Sequence, residues 1–122
     1  MARVLVVDDE FGVGEVLEAI LQDEGYEVTL AVNGQQALQR LAELDVDLVL
    51  TDYMMPLMDG PGLIQTMAGD PRLKRIPVVL MSSLPEEQVA ERINGYVAFL
   101  RKPFRAAAVV RTLAQLLDGT RS

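Results

Sequence analysis

Acidic side chains stand at the ends of two short apolar runs. The run VLVV, residues 4–7, is followed by Asp8 and Asp9, and the run DLVLT, residues 47–51, is followed by Asp52. Two like charges about 4 Å apart repel by roughly 4 kcal/mol at an effective dielectric constant near 20. If the fold brings these carboxylates together, a positive partner must balance them. Oxygen ligands without nitrogen or sulfur favour Mg²⁺ over zinc at such a cluster.

The composition excludes most other kinds of catalytic chemistry. The chain of 122 residues contains no histidine and no cysteine, so it has no imidazole base, thiol nucleophile or disulfide. Two of the remaining reactive groups also follow apolar runs: Ser82 ends VVLMS, residues 78–82, and Lys102 comes shortly after VAFL, residues 97–100. An ammonium group beside metal-bound carboxylates is an arrangement that binds phosphoryl groups.

Charge and hydropathy restrict the partners and the location. The formal net charge of −7 and the pI near 4.5 oppose binding to the phosphate backbone of nucleic acids. No apolar run approaches the ~18 residues of a membrane span, and the N-terminal run is too short for a signal peptide. We therefore predict a cytoplasmic protein that binds neither nucleic acid nor membrane directly.

Segments typical of strands and helices alternate along the chain. Five apolar runs with little alternation indicate strands buried on both faces of a parallel sheet, at residues 4–7, 28–32, 47–51, 78–82 and 97–100. A stretch with helical spacing of apolar residues follows each run. The pattern predicts one α/β domain over residues 1–122, a doubly wound five-stranded parallel sheet of order 2-1-3-4-5, with no room for an output domain. Strands 1 and 3 are neighbours in that order, so the acids converge.

Each candidate residue also has a local structural interpretation. Asp9 is placed to cap the first helix and Asp59 the third, and Ser82 or Ser83 is placed to cap the fourth, with Glu86 three positions after Ser83. Taken singly, these residues favour such roles. Their common location at one edge of the predicted sheet favours a shared functional site instead.

The motifs that contain these residues occur together in one known family. In order along the chain, VLVVDDE (4–10), DLVLTDYMMPLMDG (47–60), IPVVLMSS (76–83) and FLRKPF (99–104) resemble the receiver (response-regulator) domain of two-component signalling, the CheY-like family. The resemblance extends over essentially the whole chain. It implies a flavodoxin-like (βα)5 fold with the strand order given above.

The resemblance also implies a phosphoryl chemistry. Asp52 would accept a phosphoryl group from the histidine of a histidine kinase or histidine phosphotransfer protein. Asp8 and Asp9 would hold Mg²⁺, with Mn²⁺ as a substitute, together with Asp52 and the backbone carbonyl of Met54. The chain would be a phosphorylation-activated switch and not an enzyme, apart from catalysing its own phosphorylation and dephosphorylation.

The remaining implied roles concern the response to phosphorylation. Ser82 would donate its hydroxyl to the phosphoryl group, Lys102 would pair with it, and Phe99 would be the aromatic switch residue, although an ordinary core aromatic is the competing interpretation. The Lys102–Pro103 peptide bond would be cis. The surface of helix 4, strand 5 and helix 5 would then regulate a downstream target protein or an output domain, and a phosphorylation-dependent homodimer is a further expectation.

Three other functions remain open from the sequence. An aspartyl-phosphate hydrolase of the haloacid-dehalogenase type uses a similar residue set, but its nucleophile ends the first strand in an Asp-x-Asp pattern, whereas this chain has Asp8, Asp9 and Glu10 there. A flavodoxin-like FMN carrier needs a phosphate-binding loop after strand 1, where acids would repel the phosphate. A phosphorylation-independent interaction module is the third alternative.

Overall fold

The computed structural model describes the backbone of residues 1–121 and the side chains of residues 1–117. Within this part of the chain, five strands alternate with five helices. In chain order they are β1 Arg3–Val7, α1 Phe11–Asp23, β2 Glu27–Ala31, α2 Gly34–Glu43, β3 Leu48–Asp52, α3 Gly60–Ala68, β4 Val78–Ser82, α4 Glu86–Ala90, β5 Ala98–Arg101 and α5 Ala106–Arg121.

The strands form one parallel sheet in the order β2-β1-β3-β4-β5, which confirms the predicted topology. In the pairing of β1 with β3, Val7 lies opposite Thr51. Asp8 and Asp52 are the next residue of each chain segment, so they lie side by side at the carboxyl edge of the sheet. Ligands of such sheets bind at this edge, where the strand order reverses.

Helices cover both faces of the sheet; β3 and β4 are buried along their whole length and β1 at every residue except Arg3, whereas the edge strands β2 and β5 are partly exposed. Along β1, Val4 and Val6 pack into the cluster formed with α1 and α5, while Leu5 and Val7 pack into the cluster formed with α2, α3 and α4. Burial on both faces explains why these strands are continuous apolar runs without alternation. No helix among the described residues combines the length and the apolar character that a membrane span requires.

The observed strands match the predicted ones closely. β4 has the predicted bounds, and each of the other strands starts and ends within one residue of the prediction. The difference at β3 matters for the site, because the strand includes Asp52 as its last residue. The backbone that carries this carboxylate is therefore fixed by pairing with β4, where Asp52 lies opposite Met81.

The structure confirms the helix cap that the sequence predicted at Asp59. Asp59 is the N-cap of α3, and its side chain accepts the backbone N–H of the third following residue at 2.9 Å. The alternative capping roles of Asp9 and of Ser82 or Ser83 are not observed: the N-caps of α1 and α4 are Glu10 and Pro85, and neither makes a capping hydrogen bond through its side chain. Asp9 is consequently left without the capping role.

Candidate functional site

Three carboxylates lie together beyond the ends of β1 and β3. One side-chain oxygen each from Asp8, Asp9 and Asp52 lies within 4.8 Å of the other two. Asp8 and Asp52 are buried, whereas Asp9 is exposed. The structure thus brings together the three acids that the sequence predicted to converge, and one of them faces solvent.

Lys102 supplies the positive charge that this cluster requires. Its Nζ atom donates a hydrogen bond to Oδ2 of Asp8 at 2.8 Å and lies 3.2 Å from Oδ2 of Asp52. The side chain starts just after β5 and passes the end of β4 to reach these acids, and the peptide bond from Lys102 to Pro103 is cis. One ammonium group is therefore shared by two buried carboxylates.

Backbone amides hold the other oxygen of each buried carboxylate. Oδ1 of Asp8 accepts the N–H of Glu10 at 2.9 Å, and Oδ1 of Asp52 accepts the N–H of Tyr53 at 2.9 Å. In both residues Oδ1 is bound to the chain and Oδ2 faces Lys102. The carboxylate planes are fixed before any ligand arrives, which is the preorganisation that a binding site needs.

The electrostatics of the cluster shift two pKa values upward. Burial, and then the charge of Asp8, raise the pKa of Asp52 above its ordinary value, and the nearby Lys102 offsets this only in part. For Lys102, burial alone would lower the pKa, but the hydrogen bonds and charges of Asp8 and Asp52 together raise it. Asp52 is therefore a carboxylate whose charge is not fully balanced by this chain alone, and a second cation would complete the balance.

An open cavity of about 280 Å³ adjoins the cluster and is lined by seven residues: Asp9, Glu10, Asp52, Met54, Ser82, Ser83 and Lys102. Five of the predicted site residues are among them, whereas Asp8, Phe99 and Pro103 are not. Two of the lining residues, Glu10 and Ser83, were not among the predicted site residues. Each directly follows a predicted one in the sequence, and that adjacency was the available signal. Glu10 also brings a further acidic side chain to the lining. The cavity has the size and the polar lining expected for a small charged group.

Ser82, the last residue of β4, is part of the cavity lining. The residue is buried, and its Oγ accepts the backbone N–H of Leu84 at 3.0 Å. This bond turns the chain directly after the strand, so α4 starts later than the Ser83 cap would require, after Pro85. The hydroxyl hydrogen of Ser82 is free to point toward the cavity, because the oxygen acts as the acceptor in that bond.

Phe99 lies on β5, away from the cavity lining. Its side chain is partly buried against the core cluster on the α4 side of the sheet. The ring centroid lies 6.2 Å from that of Tyr96, with an angle of 55° between the ring planes. The Tyr96 hydroxyl in turn donates a hydrogen bond to Glu86 at the start of α4, at 3.2 Å. An aromatic pair therefore links β5 to the helix that follows Ser82.

The comparison with protein families decides what kind of domain carries this site. The response regulator receiver domain family matches residues 4–114. The chain belongs to this family. The match supports the receiver interpretation over the hydrolase and the flavin carrier, and it identifies the chain as a signalling domain of two-component systems.

Relatives and solved structures agree with the receiver assignment. The two-component response regulator ORR5 of Oryza sativa subsp. japonica is 39% identical over 121 residues, which cover 94% of this chain and 88% of ORR5. Response regulator Rre1 of Synechocystis sp. is 39% identical over 118 residues, and the match covers 90% of this chain but only 50% of Rre1. The matched domain is thus nearly the whole of one relative and half of another.

Two solved structures share the fold closely. The signal receiver domain of a signal transduction histidine kinase from Syntrophus aciditrophicus has a TM-score of 0.89 and 32% identity, covering 98% of this chain and 92% of that one. The chemotaxis response regulator CheY4 of Vibrio cholerae has a TM-score of 0.87 and 30% identity, covering 95% and 98%. The fold of this receiver domain is therefore that of a known signalling architecture.

The donor set of this receiver domain fits Mg²⁺. Three carboxylates within reach of one another, with no nitrogen or sulfur donor among them, are the hard oxygen ligands that this ion prefers. The exposed Asp9 leaves one side open for the waters that Mg²⁺ retains. The raised pKa of Asp52 points the same way, since it reflects a charge that a bound cation would stabilise.

Replacing Asp9 by asparagine is expected to weaken Mg²⁺ binding about 10-fold or more, because the charge count of the ligands sets the affinity of such sites. The metal-free protein should keep its stability within about 0.5 kcal/mol, since Asp9 is exposed. Thermal unfolding with increasing MgCl2 measures both quantities. Asp23→Asn, an exposed acid at the far end of α1, is the control. An unchanged Mg²⁺ response in Asp9→Asn would contradict the prediction.

Proposed function

We propose that this receiver domain is a phosphorylation-activated switch in which Asp52 accepts a phosphoryl group from a phosphohistidine. The main support for this proposal is the pair of buried carboxylates, Asp8 and Asp52, that both form ion pairs with Lys102 beside an open polar cavity. Asp52 is the acid of this pair that lines the cavity, whereas Asp8 is not part of its lining. A donor approaching from solvent therefore meets Asp52 first.

The transfer is a displacement at phosphorus. A carboxylate oxygen of Asp52 forms the new P–O bond while the P–N bond to the donor histidine breaks, and the imidazole leaves with the electron pair and takes a proton from solvent. Mg²⁺ held by Asp8, Asp9, Asp52 and the Met54 carbonyl, or Mn²⁺ in its place, would neutralise charge on the phosphoryl oxygens. Asp52 itself must be ionised to attack, and the Lys102 ammonium 3.2 Å away favours the ionised form.

Lys102 and Ser82 bind the transferred group. Lys102 has two carboxylate partners in the unphosphorylated domain, Asp8 and Asp52. When Asp52 becomes an acyl phosphate, the negative charge that faces Lys102 lies on the phosphoryl oxygens instead of on the carboxylate. Ser82 lies on the same cavity and can donate its hydroxyl to an oxygen of that group. Phosphorylation would thus draw the end of β4 and the end of β5 toward the phosphoryl group.

The switch acts through the segment between β4 and α4, which is bonded to the Ser82 side chain. Its Oγ holds the N–H of Leu84, so a movement of the Ser82 side chain toward the phosphoryl group releases or pulls the segment before α4. That segment leads to Glu86, which accepts a hydrogen bond from the Tyr96 hydroxyl. The Tyr96 ring in turn contacts the ring of Phe99 on β5. A change in Phe99 packing would alter the surface of α4, β5 and α5, as a shift between two populated arrangements.

The proposed partners follow from this role. The phosphodonor is a histidine kinase or histidine phosphotransfer protein, because this chain has no histidine of its own. The altered surface would regulate a downstream target protein or an output domain, with a phosphorylation-dependent homodimer as one form of that response. With a net charge of −7 the domain itself would not bind nucleic acid. We also propose a cytoplasmic location, where it would meet the histidine kinase or phosphotransfer protein.

Incubation with acetyl phosphate tests the proposed function directly. Intact-protein mass should show one added phosphoryl group when MgCl2 is present, and none when EDTA replaces it. Acid and base lability of the adduct would distinguish an acyl phosphate from a serine phosphate. If no adduct forms, binding of beryllofluoride with Mg²⁺ should be measured by NMR. Failure of both would leave the proposed phosphoacceptor role without support and favour a phosphorylation-independent module.

Replacing Ser82 by alanine is expected to reduce the phosphorylation-dependent change while leaving the adduct in place. Loss of the bond to Leu84 should lower the free energy of unfolding by about 1 kcal/mol. Amide chemical shifts of Phe99, compared before and after addition of beryllofluoride, measure the change. Ser83→Ala, at the adjacent exposed serine, is the control and should respond like the wild-type protein. A full response of Phe99 in Ser82→Ala would overturn this route.

A further inference from the structure

The first residue of α2 is in direct contact with the loop that follows Asp52. The backbone N–H of Gly34 donates to the carbonyl of Met58 at 2.8 Å. The first turn of α2 is itself fixed, because the side chain of Asn33 accepts the N–H of Gln36 at 2.8 Å and the side chain of Gln36 accepts the N–H of Val32 at 2.8 Å. Gly34 is therefore a rigid attachment point outside the site.

Only a residue without a side chain fits at this attachment point. A Cβ atom placed on Gly34 would lie 2.8 Å from the carbonyl oxygen of Met58, 2.8 Å from its Cβ and 2.5 Å from its Cγ, whereas ordinary van der Waals contact starts at 3.4 Å. The Met58 side chain can rotate away, but the carbonyl oxygen belongs to the backbone. A side chain at position 34 therefore requires the backbone of the loop and the start of α2 to move apart.

The loop in question, residues 53–60, is held at two places. At its base, the N–H of Gly60 donates to the carbonyl of Tyr53 at 3.0 Å. At its far side, Met58 is bonded to Gly34. Between these two points Met54 lines the cavity, and Leu57 has the left-handed backbone angle φ of 66°. A non-glycine residue adopts that conformation only where the surroundings impose it.

We propose that Gly34 is a positioning residue for the metal site, which it controls through the Met58 carbonyl and the loop that carries Met54. The inference rests on the proposed function, because the Met54 carbonyl is the backbone ligand assigned there. A Cβ at position 34 pushes on one of the two attachments of the loop, and the displacement is passed to the residues between them. Supporting groups of this kind change metal affinity by about 10–100-fold when they are altered.

A Mg²⁺ titration of matched variants tests this positioning role. Gly34→Ala is expected to weaken Mg²⁺ binding about 10-fold, measured by isothermal titration calorimetry. Gly62→Ala is the matched control: a Cβ on Gly62 would lie 3.1 Å from Cγ of Met58 and 3.3 Å from a side-chain oxygen of Asp59, so it meets side chains that can move and no backbone atom. Its Mg²⁺ affinity should equal that of the wild-type protein.

A second measurement on the unmodified protein separates positioning from a merely structural role. Coupling between two sites is reciprocal, so Mg²⁺ must stabilise the Gly34 to Met58 bond if that bond supports the metal site. Amide hydrogen exchange at Gly34 should slow several-fold on Mg²⁺ saturation, whereas exchange at Leu44, bonded to Arg40 at the other end of α2, should not change. This reading does not depend on the folding of any variant.

The outcomes separate the two proposals. Mg²⁺ binding by the wild-type protein with equal affinity in Gly34→Ala, or without a change in Gly34 exchange, overturns the positioning role and leaves the metal site standing. Absence of Mg²⁺ binding by the wild-type protein overturns the metal site and the positioning role together. Weaker binding in Gly34→Ala alone, with slower exchange at Gly34, supports both.

Discussion

Asp52→Asn is expected to abolish the phosphoryl adduct and, at the same time, to stabilise the metal-free protein. The adduct disappears because an amide has no ionised oxygen to attack phosphorus. Intact-protein mass after incubation with acetyl phosphate and MgCl2 measures this loss. An adduct that persists in Asp52→Asn would assign the phosphoryl group to another residue.

Asp52→Asn should stabilise the metal-free protein although it removes the phosphoryl adduct, because the pKa of Asp52 is raised in the folded state. Burial and the charge of Asp8 favour the protonated form of Asp52 in the folded state. At neutral pH the carboxylate is ionised in the unfolded chain, so folding must place an unfavourable charge beside Asp8. Removing that charge should increase the free energy of unfolding at pH 7 by about 1 kcal/mol, the size of a typical single-residue effect.

The pH dependence gives this prediction a second check. A carboxyl group with a raised pKa in the folded state contributes stability below the pKa of the unfolded chain, about 3.9, and loses it as the pH rises through the folded value. The difference between Asp52→Asn and wild type should therefore be largest near pH 7 and vanish at about pH 3.5. Urea unfolding in EDTA measures it, with Asp45→Asn, an exposed acid before β3, as the control. A destabilised Asp52→Asn at pH 7 would contradict it.

Lys102→Met is expected to lower the free energy of unfolding in EDTA by about 3–5 kcal/mol, the cost of leaving buried charge without its partner. The Asp8 side chain has no exposed surface and that of Asp52 only 11%, so water cannot replace the ammonium group. The pKa of Lys102 is raised, so the ion pairs contribute their full stability throughout the neutral range, and this contribution is lost as the pH rises through the raised pKa. Urea unfolding curves at pH 7 measure the loss.

Two further samples make the Lys102 prediction specific. Arg101→Met changes the preceding residue, which is exposed and whose side chain donates to the Ser83 carbonyl, and it should cost less than about 1 kcal/mol. Saturating MgCl2 should recover part of the stability of Lys102→Met, because a bound cation stabilises only the folded state. The double variant Asp52→Asn with Lys102→Met should lose less than the single Lys102→Met. A Lys102→Met loss no larger than that of Arg101→Met would contradict the prediction.

The sequence predicted the sheet well because the strands depend on local pattern. β4 and β3 are buried on both faces, and their β-branched apolar runs have no competing helical interpretation. Convergence of Asp8 and Asp52 then followed from strand order alone. The sequence also placed Lys102 near the acids, but it could not show that its shortest contact is with Asp8, since that depends on how a long side chain packs past β4.

The parts that could not be predicted depend on tertiary contacts. The spacing of Ser83 and Glu86 favoured a capping box, yet the buried Oγ of Ser82 bonds to Leu84 and delays the start of α4. The requirement for glycine at position 34 arises from Met58, a distant residue in the sequence, so no local pattern indicates it. At the start of α4 and at Gly34, tertiary packing therefore determines the structure more strongly than local sequence propensity does.

Because every strand of the sheet runs in the same direction, the two rims of the molecule carry different parts of the chain: the site lies at one rim only. The connections that lead into β2, β3 and β4, at residues 24–26, 44–47 and 69–77, lie at the rim opposite Asp52. Insertions, affinity tags or fluorescent labels placed at the exposed residues of these connections, and not at the buried Tyr26, Val46 or Leu73, should leave the carboxyl ends of the strands undisturbed. A one-residue insertion within β1 would instead shift the pairing of Val7 with Thr51 and carry Asp8 out of the cluster. The domain can thus be attached to other proteins from one rim while the other rim keeps its chemistry.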